Sequence, residues 1–284
     1  MNLHPAARSA VLCASLLATP LAAQAGEEVV MIDGATHKIP TTVTLPDGDG
    51  PFPFVVMFHG TGSNRHEAGN GYDLLAPKLA EAGIASARFD FAGNGDSEVD
   101  YTEYTLTGGM QDGLSVIDYM RGLDETADDR VGVLGWSQGG TVAMLTAGRN
   151  PGISSLVTWA GALDMSGFGT ELYEEAQENG FAVMEFEWRT PLNVSIDWFE
   201  EVRNIDIAEE MASYEGAVLA IAGANDTVVD PAVTDAILAA SSSSDNSEKQ
   251  IIPDADHTFN IFTGDMTAFD TLIDLTVSRF SDTL

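Results

Sequence analysis

The run Val131-Gly132-Val133-Leu134-Gly135-Trp136-Ser137-Gln138-Gly139-Gly140 decides how the rest of the chain is read. It opens on a short apolar stretch with the look of a buried strand and leads into a helical pattern from Gln138 to Arg149. Gly-x-Ser-x-Gly therefore falls in a strand-to-helix turn. In a chain with 28 glycines the pentapeptide alone is a weak signal, and a glycine-rich turn is its plain alternative. The context makes it strong. A serine in so sharp a turn holds a strained backbone, so the residues two positions to either side must be very small. The hydroxyl is then presented at the carboxyl edge of the sheet, and the N-terminus of the following helix faces any negative charge that develops there. Ser137 is the candidate nucleophile.

Moving outward, short apolar runs alternate with longer helical patterns. Strands are expected at Thr42 to Leu45, Phe54 to Phe58, Ile84 to Phe89, Val131 to Leu134, Leu156 to Trp159, Val218 to Ala222 and Gln250 to Ile252. Helices are expected at Tyr72 to Ala82, Gly109 to Arg121, Gln138 to Arg149, Pro231 to Ala240 and Asp265 to Phe280. Several strands are apolar throughout, as strands covered on both faces of a mainly parallel sheet must be. The alternation predicts an α/β fold with right-handed crossovers. One segment, 165–204, breaks the rhythm with Phe168, Tyr173, Phe181, Met184, Phe186, Trp188, Trp198 and Phe199 among many glutamates. It shows no obvious strand–helix unit. An insertion of this kind in a compact domain is usually functional, and it is read as a cap over the mouth of the sheet.

A serine hydroxyl needs a base. Of the five histidines, His257 lies in Asp254-Ala255-Asp256-His257-Thr258-Phe259, between a late strand and the last helix. That loop opens at the same sheet edge as Ser137, so His257 is the candidate base. A base needs a carboxylate to fix its tautomer and to support the imidazolium. Asp226 follows the strand Val218 to Ala222 and is the candidate acid, whereas Asp230, just before Pro231, reads as the cap of the next helix. Serine, then aspartate, then histidine is the chain order of the α/β-hydrolase fold. An oxyanion hole needs two backbone N–H groups. Gln138, next after the nucleophile, supplies one. The second is expected in His59-Gly60-Thr61-Gly62-Ser63-Asn64-Arg65, where the glycines allow close approach and Thr61 is the chosen donor. Asp90 to Ser97 reads as a structural turn, with Gly93 and Gly95 at positive φ and no third glycine at dinucleotide-binding spacing.

Four stretches together carry a resemblance: His59 to Arg65, Arg88 to Ser97, Gly135 to Gly140 and Asn225-Asp226-Thr227-Val228-Val229. Over roughly residues 50–280, the cap apart, the chain resembles the bacterial cinnamoyl (feruloyl) esterases of the α/β-hydrolase superfamily. The resemblance implies an eight-stranded core with helices on both faces and a small cap insertion. It also implies no cofactor, small aromatic or aliphatic esters as substrates, and Thr61 and Gln138 as oxyanion donors. Trp136 stands where that group more usually has histidine, an arrangement similar to the Gly-Trp-Ser of some polyester hydrolases. The cap sequence matches none that can be aligned. Trp136, Phe181, Trp188 and Trp198 are the expected substrate-binding side chains.

The resulting expectation is a serine carboxylesterase acting on small neutral esters, either short-chain acyl or hydroxycinnamate. The alternatives are a serine peptidase and a non-catalytic binding protein on a hydrolase scaffold. The 12 basic against 44 acidic residues, a formal net charge of −32, argue against nucleic acid and anionic membrane as partners. Arg8, the apolar run from Val11 to Ala18 and the Ala-Gln-Ala ending at Ala25 read as an export signal over residues 1–25, with the hydrolase domain over 26–284. A secreted or periplasmic location follows from that reading. Cys13 is the only cysteine and lies in the same segment, so the mature chain is expected to have no disulfide, thiol nucleophile or cysteine-bound metal, and no metal site is expected.

Overall fold

The computed structural model describes residues 26–284, so the export signal read over residues 1–25 lies outside the described residues. One sheet organises the chain. Its strands are β1 (Gly26–Asp33), β2 (Lys38–Leu45), β3 (Phe52–Phe58), β4 (Ala85–Phe89), β5 (Thr126–Trp136), β6 (Ser155–Trp159), β9 (Ala217–Gly223) and β10 (Ser247–Ile252). Their spatial order is β1-β2-β4-β3-β5-β6-β9-β10. β1 and β2 pair antiparallel, as do β2 and β4, and every later pairing is parallel. This is the α/β-hydrolase architecture.

The strand sequences show why the sheet is two-sided. In β3, Phe54, Val56 and Phe58 join one core cluster while Val55 and Met57 join the other, and none of the five is exposed. Successive side chains of a strand point to opposite faces, so a strand apolar at every position needs cover on both. Helix α1 (Gly71–Glu81) and the last helix α8 (Thr267–Thr283) cover one face through Tyr72, Leu75, Leu79, Phe269 and Leu272. On the other face lie α2 (Leu106–Arg121) and α3 (Gln138–Arg149), with Val116, Ile117, Val142 and Leu145 fully buried. Full burial of one such Leu, Ile or Phe side chain contributes about 1.5–3 kcal/mol, so these two clusters hold the sheet.

Two features depart from the reading of the sequence. β1 was not anticipated. It is an edge strand with mostly exposed side chains, so its sequence carries little of the apolar signal that marks the inner strands. The cap segment does contain regular structure: α4 (Tyr173–Asn179), the antiparallel pair β7 (Phe181–Met184) and β8 (Leu192–Ser195), and α5 (Ile196–Asn204). Each element is too short for a period to stand out. The chain then returns to the sheet through α6 (Ile207–Met211), and α7 (Val233–Ala240) links β9 to β10.

Candidate active site

Ser137 stands between β5 and α3 with φ 54 and ψ −121, a left-handed conformation that a serine adopts only under constraint. Its N–H donates to the Trp159 carbonyl at 2.9 Å, and its own carbonyl accepts from Gly140 N at 2.9 Å and from Ala162 N at 3.2 Å. The flanking glycines are required by space. A Cβ on Gly135 would lie 2.1 Å from the Gly139 carbonyl oxygen, and one on Gly139 would lie 2.0 Å from the Phe58 carbonyl oxygen. The turn that exposes the serine exists only because both neighbours lack side chains.

Asp226 lies just beyond β9, its carboxylate fully buried. One oxygen accepts from Val228 N at 2.8 Å and Val229 N at 2.9 Å, and the other meets His257 Nδ1 at 2.8 Å. The acid is thus immobilised by two backbone donors before it meets the imidazole. With Nδ1–H donated to Asp226, the other ring nitrogen, Nε2, is the one able to take up a proton. Asp256 organises the His257 loop by accepting from Thr258 N, Thr258 Oγ1 and Asn260 N. Asp230 is exposed and accepts from Ala232 N at 2.9 Å at the start of the turn into α7, away from the imidazole.

Ser137 and His257 share a cavity of about 590 Å³ with Gly60, Thr61, Ser63, Glu67, Trp136, Phe168, Phe186, Trp188, Val228 and Phe262 among its walls. Gln138 begins α3 beside the serine, with its backbone at the helix N-terminus. The Gly60 N–H is taken by the Glu67 carboxylate at 2.5 Å, and Thr61, the next residue, is part of the cavity wall. The loop is braced from behind. Arg65 pairs with buried Asp90 and, at 2.6 Å, with Asp96, while Asp90 also accepts from the Arg65 and Asp96 backbones. His59 bridges the Gly60 carbonyl through Nδ1 and Phe91 N through Nε2. Burial pushes its pKa down to about 4, so it is neutral and structural. From the cap, Arg189 donates to the Gly62 carbonyl and ties that insertion to the same loop.

The four side chains expected to bind substrate separate. Trp188, 64% exposed, stands at the cavity mouth. Trp136 also borders the cavity, but it is 2% exposed, packs against Trp159, Phe259 and Phe269, and donates its indole N–H to the His257 carbonyl at 3.2 Å. Its main part is to hold the histidine loop. Trp198 is buried inside the cap against Phe168 and Phe199, and Phe181 lies on β7; the structure brings neither to the cavity wall. Residue periodicity cannot tell a cap aromatic that faces inward from one that faces the cleft. Phe186, Phe168, Val228 and Phe262 line the cavity.

Sequence reasoning missed Glu67, two residues past the quoted loop motif. It is 9% exposed and adopts φ 61, ψ 177, a region occupied almost only by glycine and costing about 1–3 kcal/mol for other residues.

Comparison with known proteins agrees with this architecture. Residues 33–188, more than half of the chain, match the family model described as X-Pro dipeptidyl-peptidase (S15 family). The 2,6-dihydropseudooxynicotine hydrolase of Paenarthrobacter nicotinovorans is 30% identical over 142 residues, which cover 48% of this chain and 35% of that protein. The putative hydrolase YtaP of Bacillus subtilis is 31% identical over 160 residues, covering 48% of this chain and 53% of that one. The chain thus spans between a third and about half of the length of these curated relatives. Among solved structures, Est1E from Butyrivibrio proteoclasticus with ferulic acid bound superposes with a TM-score of 0.67 at 21% identity, covering 89% of this chain and 96% of that one. A putative hydrolase from Agrobacterium vitis gives 0.70 at 19% identity, covering 90% and 99%. At such identities these neighbours speak to the fold alone. The sequence match over more than half of its length places this chain in the X-Pro dipeptidyl-peptidase (S15) family.

Proposed function

We propose that this protein is a serine carboxylesterase that hydrolyses small neutral esters through an acyl-enzyme. The observation that carries the proposal is Ser137 on its strained elbow, sharing an aromatic-walled cavity with a His257 whose Nδ1 is engaged by buried Asp226. His257 Nε2 removes the Ser137 proton as the oxygen attacks the ester carbonyl. Negative charge on the tetrahedral oxygen is met by the N–H groups of Gln138 and Thr61. Collapse expels the alcohol, which takes its proton from the imidazolium, and water repeats the cycle to release the acid. Because His257 must be neutral to act as base, turnover falls on the acid side.

The walls suggest the substrate class. Phe168, Phe186 and Trp188 from the cap line the cavity together with Val228 and Phe262, and a cavity of about 590 Å³ suits a short acyl chain or a single hydroxycinnamate ring better than an extended long acyl chain. The one carboxylate in the wall, Glu67, disfavours a free acid on the substrate. Methyl ferulate and p-nitrophenyl butyrate are therefore expected to exceed p-nitrophenyl palmitate and monomethyl succinate in kcat/KM. Trp188→Ala is expected to raise KM for methyl ferulate by roughly 2- to 10-fold, the worth of one aromatic pairing, with little change for the butyrate. Equal or better turnover of the palmitate or of the anionic ester contradicts this reading.

Membership of the S15 family favours a second reading, cleavage of a proline amide. The matched segment ends at residue 188, before Asp226, His257 and the Val228–Phe262 wall. An X-Pro p-nitroanilide in the same panel separates the two: faster turnover of the anilide than of any ester selects the peptidase.

A further inference from the structure

Glu67 belongs to none of the steps above, yet it lies in the cavity wall beside them. Its side chain reaches back across the oxyanion loop: one oxygen accepts from Gly60 N at 2.5 Å and the other from Ala68 N at 2.9 Å. Glu67 Oε2 and the Ser137 Cβ each lie 3.6 Å from the same point above Gly60, where a side chain at that position would stand. With no side chain there, the carboxylate and the nucleophile border the same space above Gly60. The residue keeps an unfavourable φ of 61 to hold that placement. A surface glutamate gains nothing from such a backbone.

We propose that Glu67 is a positioning residue for the hydrolytic reaction, whose carboxylate fixes the oxyanion loop and, when ionised, supports the positive charge that forms on His257 during catalysis. The inference rests on the serine hydrolase reading given above. The ionisable groups facing Glu67 are His257 from the loop after β10 and Tyr72 from α1, and Tyr72 is held neutral by burial while it donates to the Phe58 carbonyl. His257 is faced in turn by Asp226 and by Asp256 of its own loop. Burial pushes the Glu67 carboxyl up to about 7, against the opposing pull of its backbone donors Gly60 and Ala68 and of His257. The Glu67 charge in the wall that it shares with His257 is consequently lost as pH falls through neutrality. Activity then depends on two deprotonations rather than one.

The test is the acid limb of log kcat/KM against pH for p-nitrophenyl butyrate, with fluorophosphonate labelling of each protein as a parallel readout. Wild type is expected to exceed a slope of one over about one pH unit near neutrality, because loss of the Glu67 charge costs about tenfold there. Glu67→Gln should drop to a slope of one, with kcat at the optimum lowered roughly tenfold, KM within about twofold and the label still taken up. Glu67→Gly removes the carboxylate and suits the local backbone, so it should fold by circular dichroism and show the same one-proton limb. An active, labelled wild type whose limb superimposes on those of both variants overturns this inference alone, as does a loss of thermal stability with kcat and slope unchanged. A wild type that neither turns over an ester nor takes the label overturns the hydrolase reading and this inference with it.

Discussion

Ser137→Ala is expected to lower kcat for p-nitrophenyl butyrate by at least ~10⁴-fold while leaving the fold intact, the scale on which triad nucleophiles count elsewhere. The physical case is local. Ser137 is exposed by a turn that two glycines make possible, and its side chain opens into the cavity rather than packing into the core. Removing one oxygen there costs no buried contact. Alanine at this position keeps the positive φ that serine already tolerates, so the melting temperature should hardly move. Residual turnover will be set by the Gln138 and Thr61 N–H groups and by binding alone. Steady-state kinetics on the purified variant checks this, and turnover near that of wild type would remove the nucleophile from the account.

Asp226→Asn should be the second largest effect, on the order of 10³- to 10⁴-fold in kcat. The asparagine oxygen can still accept from Val228 and Val229, but its amide then points a donor at His257 Nδ1, which must turn acceptor in response. The proton moves to Nε2, and the base is lost with the geometry intact. Asp230→Asn is the internal control. That side chain meets only the Ala232 N–H on the exposed approach to α7, so the change should cost at most about 1 kcal/mol of stability and leave kcat unchanged. Comparison of kcat and thermal melting for the two variants tests the assignment; reversed effects would exchange the two aspartates.

How much of this was legible depends on what each residue's position rests on. Ser137, Asp226 and His257 each follow a strand near its carboxyl end; β5 and β9 announce themselves by apolar residues and by glycine at the turn, whereas β10 before His257 is marked only by its closing Ile251-Ile252. The parallel order then places the three loops at one edge without further information. β1 was invisible because an exposed edge strand needs no apolar run. The cap gave its composition but not its faces: Trp188 reaches the mouth while Trp198, ten residues on, is buried among other aromatics. Val228 and Phe262 carry no mark of their place, because loops two elements apart in sequence bring them together only in the fold. Glu67 was hidden differently. A glutamate in a polar loop reads as solvated, and only the backbone reveals a side chain turned inward to cap Gly60. Its neighbour Arg65 was quoted as part of a motif, yet its use, bracing the loop through Asp90, is equally a matter of three-dimensional contact.

The most direct measurement of the central claim is fluorophosphonate labelling followed by peptide mapping of the adduct. The account predicts one adduct per chain, on Ser137, formed fast in wild type, slowly in His257→Ala where no base assists the oxygen, and absent in Ser137→Ala. An adduct on another residue, or no adduct on a folded wild-type protein, would contradict it.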